Sequence, residues 1–427
     1  MAKRLTSVLG VDIGSESIKV CEVRSQGRDP VVTALGMIAT PEGAVDHTGI
    51  YNGDAVAAAI KQCANEAGAS VQSVVVTITG QASVLIRTLE VPKMNPTELK
   101  EHMQWEINRN IPFAESTVVS DFKPLGGDDP NSPNMDVVMA ISPQSSIDTL
   151  ISCIKKAGKQ PGAIDVQPLS LARTLQQNYE DVYGNSTVCI VDIGAKTTSI
   201  NMYRGSKLLM PRQVPLGGEL FTKAISDGFA VGLQEAETMK RERLDIPEDA
   251  VVAPGVIGFS TGGSTQEFQP YNPFSDEPAP TFNPMGETGP TDFGGAAAFD
   301  PMADAPEPAQ PQATPPPSAV PAQSSESQKL FESVASVLDE FVSEVRRSVD
   351  YFRSRGGDLD AILLCGGGAK LKGLANYMTK SLGLKCDSYD PLRRLNVNAR
   401  KLPPMFTDEH RAEFAVAIGN GLYIFFD

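Results

Sequence analysis

The sequence predicts an α/β protein built from two related domains. Two segments whose acids lie 180 residues apart, Val8 to Val20 and Cys189 to Asn201, carry branched aliphatic residues into Asp-Ile-Gly and out into a second apolar or β-branched stretch. Each describes a hairpin with its acid at the turn. A third segment, Ala361 to Leu374, reads as a buried strand, a triple-glycine turn and the start of a helix. Paired hairpins imply paired domains, and 427 residues, 41% hydrophobic and 21% charged, suffice for two sizeable cores.

The turns carry specific chemistry. Gly14 and Gly194 lack the Cβ that would hold the backbone away from a phosphate, and Ser15, Ser17, Thr197 and Thr198 offer hydroxyl and N–H donors. Asp12 and Asp192, at the strand mouths, call for a cation or its water shell, and Mg²⁺ held through waters and phosphate oxygens suits two acids facing one nucleotide. Lys19 adds a point charge for the terminal phosphates. Gly366, Gly367 and Gly368 would let the backbone approach a purine or its α-phosphate. A single Asp-x-Gly is an ordinary turn and a lone triple glycine is weak evidence; the three in order are strong.

These segments resemble the first phosphate, second phosphate and adenosine motifs of the actin, heat-shock-70 and sugar-kinase superfamily. Ile164 to Arg173 and Phe414 to Leu422 stand where its two connecting helices are kept. Within it the chain resembles the PilM family of type IV pilus assembly proteins, relatives of FtsA. Val8 to Val20, Leu89 to Met94, Glu106 to Phe113, Asp165 to Arg173, Val214 to Glu219 and Glu344 to Phe352 carry that likeness. It implies a two-domain actin-like ATPase fold of duplicated ribonuclease H-like domains, with a small α+β subdomain inserted in the first. It further implies ATP and Mg²⁺ as ligands, with Asp12 and Asp192 holding the metal through water. By resemblance to the Glu-x-x-Lys-Arg helix of heat-shock-70 proteins, Glu237 and Lys240, on one helical face after Gly217 and Gly218, hold ribose and purine; a surface i,i+3 ion pair would look the same. Gln167 is the candidate for orienting the attacking water, and because glutamine cannot take a proton at neutral pH, turnover should be slow.

On this reading residues 1–75 begin the first domain, 76–160 form the inserted subdomain, and 161–185 supply a connecting helix and the return of the first domain. Residues 186–250 and 329–405 make the second domain, and 406–427 the terminal connecting helix. From 251 to 328 lies an insert without Lys or Arg, rich in Pro, Ala, Gly, Ser and acids from about Pro270, which we expect to be disordered. Scattered aromatics such as Phe259 and Phe282 leave open a recruitment tether. Leu330 to Phe352 repeats apolar residues at three and four, a core helix. Trp105 reads as packing.

A net charge of −15 argues against a nucleic-acid-binding surface. The six cysteines fall singly, as buried free thiols of a reducing compartment. No segment reads as a membrane span or direct membrane anchor, so membrane association is expected through a partner. The resemblance implies that partner: a PilN-type inner-membrane protein whose N-terminal peptide enters a groove beside the subdomain, addressed to Leu89–Phe113, with other pilus platform proteins and self-association also implied. The competing functions are a sugar or carboxylate kinase, with Asp165 near the place of a general base, and an FtsA-like filament former.

Overall fold

The computed structural model describes residues 5–113, 117–126, 131–247 and 326–426. The chain opens with β1 (Ser7–Ile13), β2 (Ser17–Gln26), β3 (Asp29–Ala39), α1 (Gly53–Ala67) and β4 (Ser73–Ile78). Then come β5 (Leu85–Pro92), α2 (Pro96–Arg109), β6 (Val118–Pro124), β7 (Asn134–Pro143), α3 (Gln144–Lys156), β8 (Gln160–Val166) and α4 (Gln167–Tyr183). The second half holds β9 (Thr187–Ile193), β10 (Thr198–Arg204), β11 (Lys207–Val214), α5 (Gly218–Phe229) and α6 (Leu233–Glu242). After the undescribed stretch follow α7 (Glu326–Ser354), β12 (Ala361–Cys365), α8 (Leu374–Leu382), β13 (Cys386–Ser388), β14 (Asn396–Val397), α9 (Phe406–His410), α10 (Ala415–Gly421) and α11 (Tyr423–Phe426).

Duplication is visible in the sheets. The order β3-β2-β1-β4-β8 of the first recurs as β11-β10-β9-β12-β13 in the second. In both, the first three strands are antiparallel and the last two join in parallel. Buried on both faces, β1 and β9 take continuous aliphatic sequence, as central strands require. The expected hairpins therefore occupy the same place in each sheet, and this is an actin-like ATPase fold.

A third sheet, β5-β7-β6, carries the inserted subdomain. Its helix α2 starts at a capping box, with Asn95 accepting from Thr97 N and Glu98 N while Glu98 returns to Asn95 N. Leu99, Met103 and Ile107 of α2 fill a small core with Val91, Val137, Met139 and Ile141. The packing draws the subdomain in from the expected 76–160. The strand β4 reaches Ile78 within the first sheet, β8 begins at Gln160 in that same sheet, and α3 buries Leu150, Cys153 and Ile154 in the first core. Trp105 departs from its reading too: it is 57% exposed, beneath the Arg109 guanidinium at 5.5 Å.

The helix expected from 329 begins at Glu326; Leu330, Val334, Leu338, Phe341, Val345 and Val349 bury its stripe in the second core. Residues 251–325, with the expected disorder and its aromatics, lie outside the described residues. The stretch Ile164–Val166, read with the connecting helix, is strand; the helix α4 starts at Gln167. The helices α4 and α10 cross with no space between them. A Cβ on Gly419 would lie 2.0 Å from Ser170 O, and Ser170 Oγ donates to Asn420 Oδ1 at 2.6 Å. Asn420 Nδ2 in turn donates to Val11 O at 2.8 Å, tying the crossing to β1.

Candidate functional site

The two Asp-Ile-Gly turns lie close enough for Asp12, Lys19 and Asp192 to feel one another's charge. Asp12, next to last in β1, stands opposite Lys19 of β2, whose Nζ donates to Asp12 Oδ2 at 3.2 Å. Asp192, next to last in β9, stands opposite Ser199 of β10. Burial and the nearby Asp12 charge push the Asp192 carboxyl up to about 6. Burial works against the Lys19 ammonium, but Asp12, Glu413 and Asp192 outweigh it and raise its pKa. Two acids press on each other here with one lysine between them. That strain on charge is what a divalent cation relieves. Among the described residues no three His, Cys, Asp or Glu side chains form a metal cage, so the donor set suits an ion that keeps waters and phosphate oxygens.

The glycines serve the protein first. Gly14 N and Gly194 N donate to Ser17 O and Thr197 O at 3.1 and 2.9 Å, and a Cβ on either would meet that same carbonyl at 2.9 Å. Turn closure thus demands glycine, and Ser15, Ser17 and Thr197 beside the turns are partly exposed. Thr198 corrects its expected role: it is fully buried, and its hydroxyl donates inward to Leu216 O at 2.7 Å. Gly366, at φ +82°, would drive a Cβ to 2.4 Å from Asp192 Oδ1, and one on Gly368 would lie 2.3 Å from Ile193 Cγ2. Both are buried where the third motif packs on the second turn, and Gly367 is the exposed one.

Behind the second turn, Gly218 N donates to Gly194 O at 2.9 Å. Lys240 Nζ reaches Glu237 Oε2 at 2.6 Å, Thr222 Oγ1 at 2.7 Å and Gly218 O at 3.0 Å. Glu237 resists protonation: burial would raise its pKa, but Lys240 and Thr222 hold it down to about 2. Glu237, Lys240 and Gly218 therefore form one polar cluster behind the second turn. Gln167, at the start of α4, donates through Nε2 to Asp192 Oδ2 at 2.5 Å and accepts at Oε1 from Ser199 Oγ.

Three participants escaped the sequence reading. Glu413 accepts from Lys370 Nζ at 2.8 Å and meets His410 Nδ1 at 2.9 Å beside Gly367; only its place in the expected terminal segment hinted at it. The Cys365 thiol, pushed up by burial, bonds Asp192. Ser199 sits seven residues after Asp192, unremarked inside a strand pattern.

Two family models match the chain: that of the type IV pilus assembly protein PilM over residues 10–253, and that of the cell division protein FtsA over 189–419. FtsA of Neisseria meningitidis serogroup B is 26% identical over 258 residues, 56% of this chain and 61% of that protein. FtsA of Bacillus subtilis is 34% identical over 93 residues, 22% of this chain and 20% of that protein. The chain thus spans less than two thirds of these relatives' length. Among solved structures, a chain of a PilM–PilN type IV pilus biogenesis complex matches with a TM-score of 0.71 and 25% identity, each chain covered to 100%.

Proposed function

The chain belongs to the family of type IV pilus assembly PilM proteins, and from that premise we propose that it is an ATP-binding actin-like scaffold that takes the N-terminal peptide of a PilN-type membrane protein. One observation carries the coupling of the two tasks: Asp12 and Ile13 are the last two residues of β1, and while Asp12 lies at the cleft between the two Asp-Ile-Gly turns, Ile13 lines a separate cavity of about 240 Å³. A change at the cleft has a covalent route to the cavity.

In the cleft, Asp12 and Asp192 would hold Mg²⁺ through water, with Lys19 and the turns at Ser15, Ser17 and Thr197 toward the phosphates. Gly367, Glu237 and Lys240 would serve the nucleoside. The metal supplies charge neutralisation between phosphate oxygens and the two acids. Glutamine at 167 is no base, so the nucleotide acts as a ligand that is turned over slowly.

The peptide's site is the cavity. It lies where the chain leaves the first sheet for the subdomain and where it returns, lined by Thr48, Tyr51, Thr77, Ser83, Ser146 and Thr149 among others. Residues 89–113 are absent from this lining, since their buried apolar side chains belong to the subdomain's own core. Thr77 Oγ1 is buried there without a hydrogen-bond partner among the described residues, and Tyr51 is 68% exposed at the rim. An extended peptide brings both polar groups for such a hydroxyl and surface for such a ring. No described helix is long and apolar enough to cross a membrane. A PilN-type partner would hold the chain at the cytoplasmic face of the inner membrane. The kinase alternative loses its base: Asp165 is buried and held by Arg173 at 2.5 Å.

The test is anisotropy of a labelled N-terminal PilN-type peptide titrated with the chain, with and without Mg²⁺ and ATP. Thr149→Trp, which fills the cavity, should weaken binding at least about tenfold. Full affinity in a folded Thr149→Trp chain would refute this placement.

A further inference from the structure

The geometry points to Ser199 as a positioning residue: we infer that it locks the Gln167 amide and so restrains ATP hydrolysis. The inference rests on the reading that the cleft binds ATP.

Ser199 and Asp192 are directly paired across β10 and β9, and together they hold both ends of one carboxamide. Ionised Asp192 can only accept, so the amide nitrogen faces it, and the amide oxygen faces Ser199. The Ser199 hydroxyl, 4% exposed, is therefore the donor to that oxygen. Val166 lies extended ahead of the helix, and Pro168 fixes the backbone just after Gln167, so the amide is positioned from the backbone as well as from its two ends. A water aligned on a terminal phosphate must give hydrogen bonds to acceptors, and the amide oxygen is what a glutamine offers it. Here one of that oxygen's two lone pairs is already taken by Ser199, and the bond fixes the direction of the other. The cleft is thereby set to hold nucleotide more readily than to hydrolyse it.

The experiment compares the full chain with Ser199→Ala, Ser199→Thr and the double variant Gln167→Ala/Ser199→Ala. Each is measured for Mg²⁺–ATP affinity by calorimetry and for single-turnover hydrolysis with radiolabelled ATP, with thermal melting as a folding control. Ser199→Ala should keep its affinity within about threefold and raise the hydrolysis rate about fivefold or more, the scale of one hydrogen bond released. Ser199→Thr, which restores the hydroxyl, should return the rate to wild type, and the double variant should lose the gain. An unchanged or lower rate in Ser199→Ala with affinity intact overturns the inference, as does a gain that survives in the double variant. Absence of Mg²⁺–ATP binding by the wild-type chain is a different failure: it removes the ATP reading and the inference with it.

Discussion

Replacing Asp192 with Asn should stabilise the metal-free protein while destroying its metal-dependent binding. The carboxyl stands at about 6 in the fold against an ordinary 3.8, through burial first and the Asp12 charge second. Two units at about 1.4 kcal/mol each put the cost of the ionised group at up to about 3 kcal/mol. The sign follows from proton counting. Between pH 4 and 6 the native state binds more protons than the unfolded chain, so stability falls as pH rises through that window and stays low above it. Asn is neutral throughout and still presents an oxygen to Gln167 Nε2. Urea unfolding in EDTA should therefore show Asp192→Asn and wild type nearly equal at pH 4, with the variant ahead by up to about 3 kcal/mol at pH 7. Adding Mg²⁺ and ATP should reverse the order, because only the wild type gains. A variant less stable than wild type at pH 7, or a difference that does not shrink on acidification, would refute the reasoning.

Other outcomes follow from the same geometry. Gly366→Ala must place a Cβ 2.4 Å from Asp192 Oδ1 in a left-handed backbone, and should lower stability by about 2 kcal/mol or more in thermal unfolding. Glu237→Gln removes the carboxylate that holds Lys240 and should weaken ATP binding about tenfold by calorimetry while peptide affinity without nucleotide stays unchanged. Asp165→Asn leaves Arg173 without its buried carboxylate partner, and should cost roughly 3 kcal/mol in urea unfolding. All six cysteines are buried, with Cys63 pushed up to about 12 and Cys386 to about 11, so a thiol reagent at pH 8 should label them only on denaturation.

Much of the fold was legible because it rests on local pattern. Aliphatic runs into Asp-Ile-Gly mark central strands with a turn that only glycine closes, and the three-and-four repeat of Leu330 to Phe352 marks a packed helix. The site was legible as far as it repeats those turns. What escaped depends on neighbours far apart in sequence. Glu413 and Ser199 matter through partners on other elements, Lys370 for one and Gln167 for the other, and no local spacing announces such bonds. Thr198 and Gly368 show the opposite case: they stand in a motif, yet one turns its hydroxyl into the core and the other makes room for Ile193. The edges of the inserted subdomain misled because α3 follows it in sequence yet buries its face in the first core.

The central claim is a metal-dependent nucleotide switch on a peptide-binding scaffold, and calorimetric titration with ATP and Mg²⁺ tests it most directly, using wild type, Asp12→Ala and Asp192→Ala with and without a PilN-type N-terminal peptide. The account predicts tight binding by wild type that needs Mg²⁺, disappears in both variants, strengthens with peptide and releases little phosphate. Binding that survives loss of either aspartate, or ADP formed rapidly only when a sugar or carboxylic acid is added, would contradict it.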